Sequence, residues 1–361
     1  FSLKNNTTNY NITKITDGGW HLNFKGATNL SETDSAKAKG HEYDGTKNYQ
    51  INFNAKKWLS DDLKLISTLY YRDTKSDYDS SDTKEESVTS DNKMYALQTG
   101  IERRTNNSLE NLIFHYHNYD RKYFVQGKKD KYYSESLAAK AEKEIIYNNK
   151  LSFGFGSEYK YDWGHYQTTT FSSQTRGHLS NFGFFANAGY MFNENQVLSF
   201  HGRNDDHKET GGNKTYKINF TQFLGKLKLG ATHSTGLKNA SLYELYGNIG
   251  QKSINPEKSE TNEIIGEYNF SKNIKFESTA YRTIMEDRIK IKSDWSAYEN
   301  KKTDTTQEGL ESQISWIGNQ QSLSLVTHFA KSRTATGGPN SRRPDLSYGV
   351  DYYKKFELKK Y

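Results

Sequence analysis

Apolar and polar residues alternate along most of this chain with a period of two, the spacing of a β-strand whose two faces meet different surroundings. Trp20, Leu22 and Phe24 alternate with His21, Asn23 and Lys25, and Leu112, Phe114 and Tyr116 with Ile113, His115 and His117. The pattern recurs at Tyr49, Ile51, Phe53 and Ala55, and at Leu63, Leu65, Leu69 and Tyr71. It is clearest over Leu151, Phe153, Phe155, Tyr159 and Tyr161, then over Phe182, Phe184, Ala186, Ala188, Tyr190 and Phe192. Further runs hold Tyr216, Ile218 and Phe220; Leu227 and Leu229; Leu310, Ile314 and Trp316; Leu323, Leu325 and Phe329; and Leu346, Val350 and Tyr352. Each run is about ten residues long, enough for a tilted strand to cross the hydrocarbon of a bilayer. Ser136 to Lys143 looks helical but reads as a strand, because Leu137, Ala139 and Ala141 share the parity of Tyr133 while Lys140 and Glu142 take the other.

The connections alternate too. Short ones, rich in Asn or Gly, follow Trp58, Arg104, Ile146, Phe192, Phe270 and Ile317. Longer polar stretches cover 28–47, 73–92, 118–131, 163–177, 203–213, 236–260, 294–306 and 332–342. Short and long connections in turn are the rhythm of an antiparallel transmembrane β-barrel, with tight turns on one side of the membrane and long loops on the other. Roughly 16–18 strands are expected, a number that porin-like barrels satisfy and that falls short of the about 22 of plugged transporters.

Composition supports this all-β reading. Only 33% of the 361 residues are hydrophobic, yet aromatics reach 14%, with 27 Tyr. Disordered chains are polar but poor in aromatics; a barrel wall between lipid and a polar lumen is polar on average and rich in them. No apolar run is long enough for a transmembrane helix. The net charge of +7 is spread among acids along the whole chain, which reads as a solvated surface and not as a nucleic-acid footprint. Phe1 to Asn5 has neither the basic nor the apolar part of a signal peptide. No nucleophile elbow, phosphate loop, dinucleotide fingerprint or Cys-based zinc pattern is present, so no enzyme is expected. His115 and His117 lie at i, i+2 and read as lumen-facing polar residues without a third metal ligand.

Two motifs carry a resemblance. Gly236-Leu237-Lys238-Asn239-Ala240-Ser241-Leu242-Tyr243-Glu244-Leu245-Tyr246-Gly247 precedes Ile254-Asn255-Pro256-Glu257-Lys258-Ser259, and downstream Tyr298-Glu299-Asn300 leads to Gln307-Glu308-Gly309-Leu310-Glu311. This order resembles the barrel signature of TonB-dependent outer-membrane receptors, with Asn239-Ala240-Ser241 in place of the family's alanine-proline pair. From the residues alone, Pro256 to Ser259 could form an ordinary turn, and Leu242, Leu245 and Tyr246 at helical spacing a small core. The resemblance implies a barrel of the 22-stranded type, incomplete here: residues 1–361 would be a partial barrel domain without its plug and its last strands. Tyr243 and Tyr246 then stand either in the outer vestibule or in an interfacial girdle.

Within the family the loops are most similar to those of cobalamin (vitamin B12) receptors. The resemblance implies calcium ligands at Glu42, Asp44, Asp79 and Asp91 and at the Tyr78 carbonyl, although Gly40 stands where an amide ligand is expected and only Asp34 lies near the place of an upstream aspartate. The plainer reading is that the outer loops are acidic and solvated. It also implies cobalamin contacts at Thr235 and at Arg342 or Arg343, the arginines being equally suited to reach lipid headgroup phosphates. The implied function is active import of a scarce, bulky nutrient, cobalamin first and a ferric siderophore or haem second. The partners would be the TonB energy-transducing complex acting through the plug, the cargo, and outer-membrane lipid and lipopolysaccharide. A plugless diffusion porin, with a charged loop folded inward, is the rival reading, and a soluble β-rich binding protein a third.

Overall fold

The computed structural model describes residues 4–34, 43–79, 87–125, 127–169, 173–334 and 344–356. The chain runs through β1 (Lys4–Ile15), β2 (Trp20–Asp34), β3 (Tyr43–Trp58), β4 (Leu63–Asp79), β5 (Ser87–Arg104), β6 (Ser108–Val125) and β7 (Lys128–Ile146). It continues through β8 (Leu151–Thr168), β9 (Ser173–Asn193), β10 (Gln196–His207), β11 (Gly211–Leu224) and β12 (Leu227–Lys238). A short helix, α1 (Leu242–Tyr246), precedes β13 (Glu257–Asn269) and β14 (Ile274–Glu286). A small hairpin of β15 (Ile289–Ile291) and β16 (Tyr298–Asn300) leads to β17 (Thr305–Ile317), β18 (Gln321–Thr334) and β19 (Leu346–Lys354).

All strands except β15 and β16 form one 17-stranded sheet. Each is antiparallel to its neighbour in sequence, with β14 passing directly to β17. Among the described residues no register pairing joins β19 to β1, and every residue of those two strands is exposed. The register sorts the side chains onto two faces. One row across β1 to β8 reads Ile12, Phe24, Phe53, Leu69, Leu97, Tyr116, Leu137 and Tyr161. The row beside it, of opposite parity, reads Thr13, Asn23, Asn54, Thr68, Gln98, His115, Ala138 and Lys160. A wall with an apolar, solvent-free partner on one side and water on the other needs this division. The first face is the lipid face, where Leu137 is 55% exposed and Ile264 68%.

Several expectations are refined. Ser136 to Lys143 is strand, inside β7. The long polar stretches are mostly strand: β4 and β5 run to Asp79 and from Ser87, and β6 and β7 are parted only by 126–127. The strands therefore rise well past the bilayer, and beyond the hydrocarbon the lipid-side parity turns polar, which erases the apolar alternation. The strands β1, β5, β10, β13 and β14 lie outside the apolar runs read from the sequence, and in β1, β10 and β13 few outward positions are large and apolar. In β1 only Tyr10 and Ile12 are.

Candidate functional site

The inner wall changes character around the sheet. Across β1 to β4 it carries Asn and Thr, with Asn23 donating to Asn11 at 2.6 Å and to Thr13 at 2.8 Å, and Thr74 donating to Asn48 at 2.8 Å. Across β7 to β10 it is charged. The Arg203 guanidinium donates twice to Asp205 at 2.7 Å and once to Glu158 at 3.0 Å, and Asn181 donates to Asp205 at 2.7 Å. Phe185 lies under Lys140 and Arg203, 5.2 and 5.9 Å from its ring centre. Its ring covers Gly156, where a Cβ would meet Phe185 Cζ at 2.5 Å.

At the long-loop end, the connection between β12 and β13 folds inward. It crosses to the inner face of β8 and β9, strands that are not its neighbours in the sheet. Ser241 caps α1, its hydroxyl accepting from the Glu244 N–H at 3.3 Å while the Glu244 carboxylate accepts from the Ser241 N–H at 2.7 Å. This reciprocal pair satisfies donors that so short a helix cannot bond internally. Leu242, Leu245, Ala240 and Ile254 then pack with Leu179 of β9, Leu245 being 2% exposed. Tyr246 donates to Glu209, whose carboxyl is held below its ordinary value first by that phenol and then by Lys208 and Lys252. The spacing of Leu242, Leu245 and Tyr246 thus does mark a small core. Tyr246 belongs to that packing, and Tyr243 to the vestibule.

The two sequence motifs meet in space. The Asn300 side chain accepts from the Asn255 N–H at 2.8 Å and donates to the Asn255 carbonyl at 3.0 Å and the Asp287 carbonyl at 2.6 Å. Glu257 accepts from the Ile289 N–H and from Lys238, both at 3.0 Å. Tyr298 donates its N–H to the Ile249 carbonyl at 3.0 Å. The motif residues therefore clasp the β12–β13 and β14–β17 connections together. An amide can copy both partners of a backbone strand pairing, and that is the role Asn300 has here.

Beside the clasp, four tyrosines from separate segments converge. Tyr243 of α1 lies 6.0 Å from Tyr132 of β7, 5.4 Å from Tyr166 of β8 and 6.4 Å from Tyr298 of β16, ring centre to ring centre. Tyr132 and Tyr166 are 5.9 Å apart. Burial, then Tyr243 and Asp130, push the Tyr132 phenol up to about 12, and burial, then Asp162 and Tyr243, do the same for Tyr166. Both stay neutral near pH 7 and act as aromatic surfaces with hydroxyl handles. In register with Tyr132 stands Arg121, whose buried Nε has no hydrogen-bond partner among the described residues. The cluster is a lip of aromatic and cationic chemistry on the inner side of the outer mouth. No spacing rule would have found it, because its members come from strands and loops far apart in sequence.

The expected site residues are placed as follows. Thr235 lies on the lipid-side parity of β12 with Leu229, Ala231 and His233, and its hydroxyl accepts from the Tyr216 N–H at 2.9 Å. Asp44 takes the inner parity of β3 with Thr46 and Asn48, while Asp91 takes the outer parity of β5 with Lys93 and Tyr95. Asp91 is in register with Lys75 on one side and Lys122 on the other. Tyr78 and Asp79 end β4, with Val88 and Ser87 as partners. Glu42, Arg342 and Arg343 lie outside the described residues, among which no group of three or more His, Asp or Glu side chains placed to hold a metal ion occurs. His115 and His117 are on the inner wall, as expected.

Residues 1–360 match the family model described as TonB dependent receptor-like, beta-barrel. No curated protein sequence matches the chain. Among solved structures it is similar to the siderophore receptor PirA from Acinetobacter baumannii, with a TM-score of 0.80 at 16% identity over 98% of this chain and 64% of that one. The ferric yersiniabactin uptake receptor FyuA from Yersinia pestis gives 0.78 at 12% identity over 98% and 64%. The outer membrane transporter YddB from Escherichia coli gives 0.74 at 11% over 92% and 55%. The chain thus spans less than two thirds of the length of each, and at these identities the likeness is one of fold. The match over nearly the whole chain, with the two motifs joined at the mouth of an antiparallel sheet of lipid-facing and water-facing sides, has one meaning: this chain belongs to the TonB-dependent receptor β-barrel family of the bacterial outer membrane.

Proposed function

We propose that this barrel serves the TonB-dependent import of an iron chelate of the siderophore type. Of the cargo classes raised by the sequence, cobalamin and a ferric chelate, the second draws support from the similar structures, one of which is named as a siderophore receptor and another as a ferric yersiniabactin uptake receptor. The observation that carries the reading is the convergence of Tyr132, Tyr166, Tyr243 and Tyr298 on the inner side of the outer mouth, with Arg121 in register with Tyr132. Neutral phenols and a guanidinium suit a ligand whose surface is aromatic or oxygen-rich and whose net charge is negative. A porin's inward loop would line a constriction with charge; here the inward loop packs Leu242 and Leu245 onto the wall. In this reading cargo docks at the lip, and the TonB complex drives its passage through the barrel by way of a plug.

The test is growth of a receptor-deleted strain carrying the full-length gene, under iron restriction with a panel of ferric chelates, and separately under cobalamin limitation. Rescue by at least one ferric chelate, weakened by Tyr243→Ala or Arg121→Ala at unchanged receptor level, is expected. Rescue by cobalamin alone would overturn the iron-chelate reading.

A further inference from the structure

The inner wall over β14, β17 and β18 holds a cluster that neither the tyrosine lip nor the inward loop uses. Glu311 of β17 and His328 of β18 are cross-strand partners with the inner parity, set between the lipid-side pair Leu310 and Phe329 and the lipid-side pair Ser312 and Thr327. They stand at the height of the hydrocarbon band but face the lumen. Tyr281 of β14 reaches the same point from two strands away. Its row continues with Gly309 and then Ala330, so no bulky side chain bars the ring. A Cβ on Gly309 would lie 2.5 Å from the Tyr281 hydroxyl. Gly309 and Glu311 belong to the downstream sequence motif, and the clasp between the outer connections involves neither.

Three donor atoms of different chemistry meet there. His328 Nε2 lies 3.3 Å from Glu311 Oε1 and 3.2 Å from Tyr281 Oη, and Gln307 donates to Tyr281 Oη at 3.4 Å. One ring nitrogen of a neutral imidazole is either a donor or an acceptor. As an acceptor from the phenol, Nε2 meets the carboxylate lone pair to lone pair. As a donor, it divides one N–H between two oxygens. A cation at the point shared by the three satisfies every lone pair at once. The spacing fits such an ion. Ligands bonded at about 2.0–2.2 Å, with angles of roughly 90–110° between them, stand roughly 3.0–3.4 Å apart.

Charge favours a cation as well. Among the described residues, the inner parity of β13, β14, β17 and β18 carries Glu257, Glu263, Glu267, Glu277 and Glu311 but a single Lys or Arg, Lys275. Lys275 is engaged by Glu267 at 3.2 Å and Glu277 at 2.9 Å. Glu263 is in register with Tyr281 and brings a second carboxylate to its side. On β8 to β10, by contrast, Arg203 neutralises Glu158 and Asp205. The side chains of His328 and Glu311 are 38% and 57% exposed, so an ion can reach them from the lumen and keep water on its remaining positions.

The donor set selects the metal. Calcium and magnesium take oxygen ligands, six or more of them for calcium. An imidazole joined by oxygen donors suits divalent copper, nickel and zinc, and at a given site of this kind copper(II) binds most tightly. We propose that His328, Glu311 and Tyr281 form a binding site for a divalent transition-metal cation, copper(II) above the others, on the inner wall of the barrel. Gln307 orients the phenol, whose proton goes to solvent when the metal binds. The site is separate from the tyrosine lip and independent of which cargo the receptor imports.

The experiment uses the full-length receptor in detergent, freed of metal with a chelator and titrated with copper(II), nickel(II), zinc(II) and calcium(II) salts. Calorimetry reads affinity and stoichiometry; electron paramagnetic resonance and visible absorption read the copper complex. One copper per receptor is expected, coordinated by one imidazole nitrogen and showing a phenolate-to-copper charge-transfer band. Nickel and zinc should bind more weakly and calcium not at all. His328→Ala should weaken copper binding by roughly 10–100-fold or more, since loss even of an outer-shell partner costs that much. Tyr281→Phe keeps the ring over Gly309, so the charge-transfer band should vanish while copper remains, more weakly held. His115→Ala removes another inner-wall imidazole and should change neither. Heat-modifiable migration on gels checks that each variant barrel is folded. The proposal fails if the unmodified receptor takes up no copper, if His328→Ala binds it equally well, or if the band is absent or survives in Tyr281→Phe.

Discussion

Gly164 of β8 and Gly177 of β9 are cross-strand partners on the inner wall, and α1 lies in the notch they leave. A Cβ on Gly164 would stand 3.1 Å from Leu242 Cδ1, and one on Gly177 would stand 2.6 Å from Tyr246 Cδ2. The two missing side chains let a helix from the β12–β13 connection reach the wall directly and seat Leu242 and Tyr246, one turn apart.

Filling the notch should displace the loop and leave the wall intact. Gly177→Val is expected to cost about 1–3 kcal/mol of loop docking through overpacking. The Tyr246 ring cannot yield easily, since Glu209 holds its hydroxyl. Hydrogen exchange should rise over 239–256 while the strands keep their protection; unchanged exchange there would show that the notch does not seat the helix.

Asn300 should matter through its amide and not through its size. Asn300→Leu leaves the Asn255 N–H and the Asn255 and Asp287 carbonyls without their partner, at about 1–3 kcal/mol for each group that stays buried and unpaired. Asn300→Asp retains the acceptor and loses both donated bonds, so it should fall between the two. Proteolysis of the loops in the folded receptor ranks the three proteins.

Acid should loosen the same loop. The Glu209 carboxyl is held below its ordinary 4.5, first by the Tyr246 phenol. As pH falls, the undocked chain takes up the proton before the docked one. The stabilisation is therefore complete above about pH 4.5 and disappears as pH drops through the lowered docked value. Glu209→Gln should remove this dependence, measured as loop hydrogen exchange against pH; a dependence that persists in Glu209→Gln would assign it to another group.

The two faces of the wall should respond oppositely to a new charge. Leu137→Arg on the lipid side is expected to destabilise the folded barrel, by an amount between the about 0–1 kcal/mol of the interface and the about 2–4 kcal/mol of the bilayer midplane. His115→Arg, on the adjacent strand with the inner parity, should be nearly neutral. Urea titration of the receptor refolded into vesicles checks both, and similar costs at the two positions would contradict the assigned faces.

Much of the wall was legible because parity is local. Once Phe53 and Leu69 are known to alternate with Asn54 and Thr68, their faces follow from the pleat, whatever the neighbouring strands do. The strands β1 and β13 escaped for the complementary reason. A water-filled lumen asks only for polar residues, and where the lipid side also rises into water nothing distinguishes the two parities.

The amino-acid sequence by itself determined the antiparallel wall, its two faces, the family motifs and the helical spacing of Leu242, Leu245 and Tyr246, because each is written within one segment or its immediate neighbour. Only the tertiary structure decided that α1 crosses to Gly164 and Gly177, that Asn300 grips Asn255, and that Tyr132, Tyr166, Tyr243 and Tyr298 meet. Those contacts join segments tens of residues apart, and their geometry depends on the curvature and stagger of many strands at once, which no local pattern encodes.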